Sequence, residues 1–161
     1  MSSKRNRINN VKDTGENHGV SFGRDYHALQ VKPGRHQATA AVNISTWNVR
    51  TMNRSGKLDN LVKEVKWLNI SILGVAEVRW PGAGKIVSDE MTFLYSGTKN
   101  QRHEKGVGMF LDPKMAECLS GYWCISERLT MIRLHGKPFD TVVIQCYAPT
   151  AESNDEEIDG F

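Results

Sequence analysis

The chain has no apolar run approaching the ~20 residues that a membrane-spanning helix needs, which argues against an integral membrane protein. Its first ten residues, MSSKRNRINN, are basic and polar with nothing apolar behind them. No secretory signal is therefore expected, and an intracellular chain, nuclear or cytoplasmic, is. Cysteine is scarce. Cys118, Cys124 and Cys146 form an odd set without a CxxC pair, and the first two lie outside usual zinc spacing. A disulfide framework is excluded and reduced thiols are expected. Aromatic residues are few, at 8%. Hydrophobic residues make up 39% of 161 and mean hydropathy is −0.46, enough for one domain with a lean core.

Acid is thin until the very end. Residues 1–41 carry seven Lys/Arg against three Asp/Glu, residues 42–150 fourteen against ten, and residues 151–161 five acids and no base. The net charge of +3 permits a polyanionic partner without requiring one. Residues 1–41 lack an apolar period and are rich in Asn, Gly, Ser, Arg and His, so they read as a disordered basic tail. The folded part is placed at 42–161. Glu156, Glu157 and Asp159 suit the positive end of a new helix, and the sequence is expected to stop in mid-domain at Phe161.

Val42, Ile44 and Thr46 alternate with polar neighbours, predicting a strand that ends near Trp47-Asn48. Leu58, Leu61, Val62, Val65 and Leu68 follow the stripe of an amphipathic helix. Ile70–Ala76 is a short branched apolar run, a buried strand. Strand, helix, strand makes a βαβ unit with parallel strands. Short strands are predicted near 91–96, 106–111, 121–125, 128–135 and 139–147, with turns at 97–105 and 135–138. Asp112-Pro113 reads as a helix cap followed by proline at the first position. The pattern alone gives one mixed sheet with a helix on one face.

Polar residues fall where strands end: Asn48 on the first, Glu77 on the second, Tyr147 on the last. Strand ends on one side of such a sheet form a shared rim where ligands are commonly held. A carboxylate there can take a hard cation such as Mg²⁺, and an amide and a phenol can orient a phosphate. A helix-capping Asn, a surface Glu and a turn-anchoring Tyr account for the same residues. Physics alone leaves both readings open. Pro81-Gly-Ala-Gly-Lys85 is not a phosphate loop, because Arg79 and Ile86 occupy two of its required positions.

Four blocks bear on that choice. Ile44-Ser-Thr-Trp-Asn-Val-Arg-Thr-Met52, Leu73-Gly-Val-Ala-Glu-Val-Arg-Trp80, Gly106-Val-Gly-Met-Phe110 and Val143-Ile-Gln-Cys-Tyr-Ala-Pro-Thr150 stand in this order. Together they resemble the endonuclease/exonuclease/phosphatase superfamily, which includes pancreatic deoxyribonuclease, abasic-site endonucleases and non-LTR retrotransposon endonucleases. The wording is most similar to the retrotransposon-derived branch, over roughly 42–150. The resemblance implies the N-terminal part of a four-layered α/β sandwich. It also implies catalytic roles for Asn48 and Tyr147 at the phosphate, a metal-binding role for Glu77, and Mg²⁺, or Mn²⁺ in its place, as cofactor. Arg79 sits where deoxyribonuclease-like members carry an Arg, so a nucleic-acid contact and a solvated loop Arg both stand. Thr150 departs from the Asn that many members have.

The family's Gly-Asp-x-Asn and Ser-Asp-His blocks do not occur in these residues. The resemblance then implies an N-terminal fragment of a Mg²⁺-dependent DNA endonuclease-like phosphodiesterase, inactive as given, that binds metal only weakly. DNA is the expected partner of a complete domain, with no membrane partner. An apolar sheet face left open favours self-association. The alternatives are a non-catalytic retrotransposon remnant that binds nucleic acid and a phosphatase for small phosphoesters.

Overall fold

A computed structural model describes residues 27–30, 41–100, 102–151, 153–159 and 161. Strand β1 (His27–Gln30) falls within the segment expected to be disordered, and the remainder of 1–40 lies outside the described residues. It pairs antiparallel with a later strand whose edge groups would otherwise lack backbone partners. Next come β2 (Ile44–Asn48), α1 (Lys57–Trp67) and β3 (Ile72–Ala76), the expected βαβ unit with β2 and β3 parallel.

Helix α1 buries Leu61, Val62 and Val65 and ends where Asn69 turns left-handed at φ 51°. The Asn69 N–H donates to Lys66 O at 3.1 Å and the Ile70 N–H to Val65 O at 3.0 Å. This pair is a Schellman closure, with Asn in the position usually given to Gly and Ile70 packing back onto the helix's own core cluster. The chain is thereby aimed straight into β3, whose five residues are all buried, which explains their unbroken apolar run.

The chain continues through β4 (Ala83–Ser88), β5 (Met91–Ser96) and β6 (Val107–Leu111). Strands β4 and β5 form a hairpin with Asp89 and Glu90, both at positive φ, as its two turn residues. Helix α2 (Pro113–Cys118) starts at Asp112, whose carboxylate accepts from the Met115 N–H at 2.7 Å, the expected cap. Strands β7 (Leu119–Cys124), β8 (Leu129–Leu134) and β9 (Thr141–Cys146) follow, then the short α3 (Asp155–Asp159).

The strands make two sheets, not one. The first is five-stranded in the order β2-β3-β6-β5-β4, and the second is antiparallel in the order β1-β7-β8-β9. The one-sheet expectation fails because strand pattern reports faces and not partners. Among the described residues, the strands past α2 pair only with one another and with β1. Ile72, Leu94, Met109 and Leu111 pack between the sheets against Leu119, Tyr122, Ile132 and Leu134. Leu73, Val75, Phe93 and Phe110 face the other way, onto α1. Helix, sheet and sheet are layers of an α/β sandwich, the expected fold class. On the outer face of the four-stranded sheet, Val142 and Ile144 are 52% and 58% exposed.

Candidate functional site

Parallel pairing sets Asn48 beside Ala76, so the end of β2 lies against the residue that precedes Glu77. The ladder then runs on past both strands. The Val49 N–H donates to Ala76 O at 3.0 Å, Thr51 to Glu77 O at 2.8 Å and Met52 to Val78 O at 2.9 Å. On the other side Val78 donates to Gly106 O at 3.0 Å and Arg79 to Lys105 O at 2.7 Å. These bonds hold five non-glycine residues at positive φ: Arg50 (49°), Thr51 (108°), Glu77 (57°), Arg79 (58°) and Lys105 (53°). Such conformations cost on the order of 1–3 kcal/mol each and persist only where surrounding structure fixes them. Trp80 anchors the loop by edge contacts with Phe93 and Tyr95 at 5.6 and 5.2 Å. Gly97 is required there, because a Cβ would overlap the Trp80 carbonyl oxygen.

The Glu77 side chain, 17% exposed, is where the expected residues meet. Asn48 donates through Nδ2 to Oε1 at 2.8 Å, and the Tyr147 hydroxyl donates to the same oxygen at 3.1 Å. Arg79 Nη2 donates to Oε2 at 3.0 Å. Asn48 is itself oriented by the Arg50 N–H, which donates to its Oδ1 at 3.0 Å. Tyr147 follows the end of β9 in the facing sheet, so the carboxylate is gripped from both sheets at once. The Asn48 bond above all, then Arg79 and Tyr147, hold Glu77 below the usual carboxylate range against the opposing effect of burial. Burial and the bond to Glu77 push the Tyr147 phenol up, keeping it protonated as a donor. Beside Asn48 an open groove of about 660 Å³ runs between β2 and α1, with Trp47, Arg50 and Lys57 on its walls.

All four expected residues, Asn48, Glu77, Arg79 and Tyr147, share one hydrogen-bonded cluster. Thr150 lies past the cluster, its N–H donating to Ser153 Oγ at 3.2 Å. The sequence reading missed Arg128. Its Nη1 donates to the Tyr147 carbonyl at 3.1 Å, and its guanidinium carbon lies 5.1 Å from the Tyr147 ring centre. Nothing in the pattern of a turn residue marks a contact made through main-chain groups.

Glu77 offers an ionised hard oxygen donor, which fits Mg²⁺ in kind. The described residues contain no group of three or more His, Cys, Asp or Glu placed to hold a metal ion together. Glu77 would hold such an ion through its carboxylate. Arg79 stands on the carboxylate's second oxygen and would compete with an ion there.

The α/β sandwich is that of the endonuclease/exonuclease/phosphatase-like class. Craniofacial development protein 2 of Bos taurus is 38% identical over 118 residues, covering 73% of this chain and 20% of the relative. The protein of the same name from Tragulus javanicus is 37% identical over the same shares. No family model matches the chain. The chain belongs to the craniofacial development protein 2 family, within that superfamily. It spans about a fifth of the length of the curated relatives it matches.

Proposed function

We propose that these residues carry the metal-holding and phosphate-orienting half of a Mg²⁺-dependent phosphodiesterase site acting on DNA. The carrying observation is the Glu77 carboxylate, held ionised by donors from both sheets. In this reading Glu77 holds the ion, and a bound Mg²⁺ would offset negative charge on the phosphate and the leaving alkoxide. Asn48 and Tyr147, freed from Glu77 as donors, turn to the non-bridging phosphate oxygens. Arg79 releases the carboxylate and pairs with a neighbouring backbone phosphate. The Gly-Asp-x-Asn block, whose Asp would activate water in the resembled superfamily, does not occur in these residues. General acid–base help is worth ~10²–10⁴ in rate, so these 161 residues alone are expected not to cleave.

Purified chain incubated with supercoiled plasmid and Mg²⁺ tests this. The expected result is no relaxed circles, together with duplex binding whose log K falls linearly with log salt. Chelator-sensitive relaxed circles that vanish on Glu77→Ala would overturn the inactivity and keep the site. Duplex binding unchanged by Glu77→Ala and Arg79→Ala would favour the second reading, a non-catalytic nucleic-acid binder. The cations Arg50 and Lys57 on the groove walls support that reading. Hydrolysis of a small aryl phosphate in place of DNA would favour a phosphatase.

A further inference from the structure

Tyr147 stands just past the last ladder pair, Leu129 with Cys146, so sheet pairing does not by itself fix where its phenol points. What holds it is the turn between β7 and β8. The Tyr147 N–H donates to Arg128 O at 2.8 Å. Arg128 Nη1 donates back to Tyr147 O at 3.1 Å and to Ala148 O at 3.3 Å. The guanidinium then stacks beneath the ring, a cation–π contact at 5.1 Å. Arg128 therefore grips backbone and ring of the same residue.

The turn is itself tied to the opposite sheet. Ser96 Oγ donates to Ser126 O at 2.8 Å, and the Gly106 N–H donates to Glu127 O at 3.0 Å. Gly106 O in turn accepts from Val78, the neighbour of Glu77. A closed circuit results: Glu77 loop, Gly106, the 126–128 turn, Tyr147, and through its hydroxyl back to Glu77 Oε1.

We propose that Arg128 is a positioning residue that sets the Tyr147 hydroxyl against the Glu77 carboxylate across the gap between the two sheets. Its bearing on phosphodiester chemistry rests on the reading of Tyr147 given above; its bearing on geometry does not. A lysine keeps the charge but lacks the planar fork that spans two carbonyls and lies flat on a ring.

The test is fluorine NMR on the chain labelled with 3-fluorotyrosine, which reports on four tyrosines, with Tyr147→Phe assigning the relevant signal. Glu77→Gln is expected to move the Tyr147 signal. In Arg128→Met that movement should fall by at least half, and in Arg128→Lys by an intermediate amount, while the Tyr95 and Tyr122 signals stay in place. A Tyr147 signal that answers Glu77→Gln equally in Arg128→Met and in the unsubstituted chain overturns the assignment and leaves the proposed function untouched. Full retention in Arg128→Lys overturns the need for the guanidinium. Displacement of all the tyrosine signals together in both variants assigns Arg128 to general stability and overturns positioning. Indifference of the signal to Glu77 in the unsubstituted chain overturns this assignment and the proposed site together.

Discussion

Two carboxylates in this protein are held the same way and for different reasons. Asp140 accepts from Arg133 Nε at 2.8 Å, from His135 Nδ1 at 3.0 Å and from the Gly136 N–H at 3.3 Å. Every donor comes from the hairpin that joins β8 to β9, within seven residues of Asp140 itself. Glu77 also has three donors, all side chains, but Asn48 is 29 residues away and Tyr147 is 70. Both carboxyls are held below the ordinary range. A turn explains Asp140 completely, since its partners are backbone and side chains that the turn needs paired. No turn explains Glu77. Its grip needs two sheets, a left-handed backbone and an over-extended ladder, which supports the proposed site.

The largest contrast should come from the glycines that frame the two clusters. Gly97→Ala forces a Cβ into the Trp80 carbonyl and should cost ~1–3 kcal/mol by denaturant unfolding, the range for overpacking. Gly136→Ala meets the Phe139 carbonyl at the hairpin's free end, which can shift alone, and should cost less. Equal losses would erase the distinction between a framed rim and a free turn.

Next is Tyr147→Phe, which removes a bond between sheets and should cost about 1 kcal/mol. His135→Ala, at an exposed position on the hairpin, should change stability less.

Acid should act on both clusters with the same sign. Each carboxyl has a folded pKa below its unfolded one, so in the interval between them the unfolded chain binds more protons. The stabilisation is present in full above the ordinary carboxylate range and drains as pH falls through the depressed folded values. Thermal midpoints followed from about pH 6 to about pH 3 should decline less steeply in Glu77→Gln and in Asp140→Asn. The two effects should add, because the clusters share no partner.

The smallest effect is Arg79→Ala. Its side chain is 45% exposed, and such pairs are worth roughly 0–1 kcal/mol, so stability should barely move.

The same contrast separates what the sequence could and could not convey. Local features were legible: the stripe of α1, the apolar run of β3, the Asp112-Pro113 cap. Strand β4 was missed because its hairpin turns on Asp89-Glu90, acids at positive φ where Asn-Gly is the usual signal. Strand β1 was missed because four residues in a polar stretch have no period to read. The second sheet was missed because pairing partners are not written in periodicity. At the site, strand-end position brought out Asn48, Glu77 and Tyr147, and the four-block resemblance gave them roles. Arg79 reads as a solvent-facing or nucleic-acid contact, and its ion pair with Glu77 was not legible. Arg128 left no trace because it acts through carbonyls and a ring face.

Under the proposed function, Glu77 holds a cation at the rim and Asp140 only clasps a hairpin. Titration of the isotope-labelled chain with Mn²⁺, read as paramagnetic broadening of assigned amide signals, tests it most directly. The expected result is that Asn48, Glu77 and Val78 broaden early, that Glu77→Gln abolishes this, and that amides around Asp140 keep their width. Broadening centred on Asp140, or a rim that broadens identically in Glu77→Gln, would contradict it.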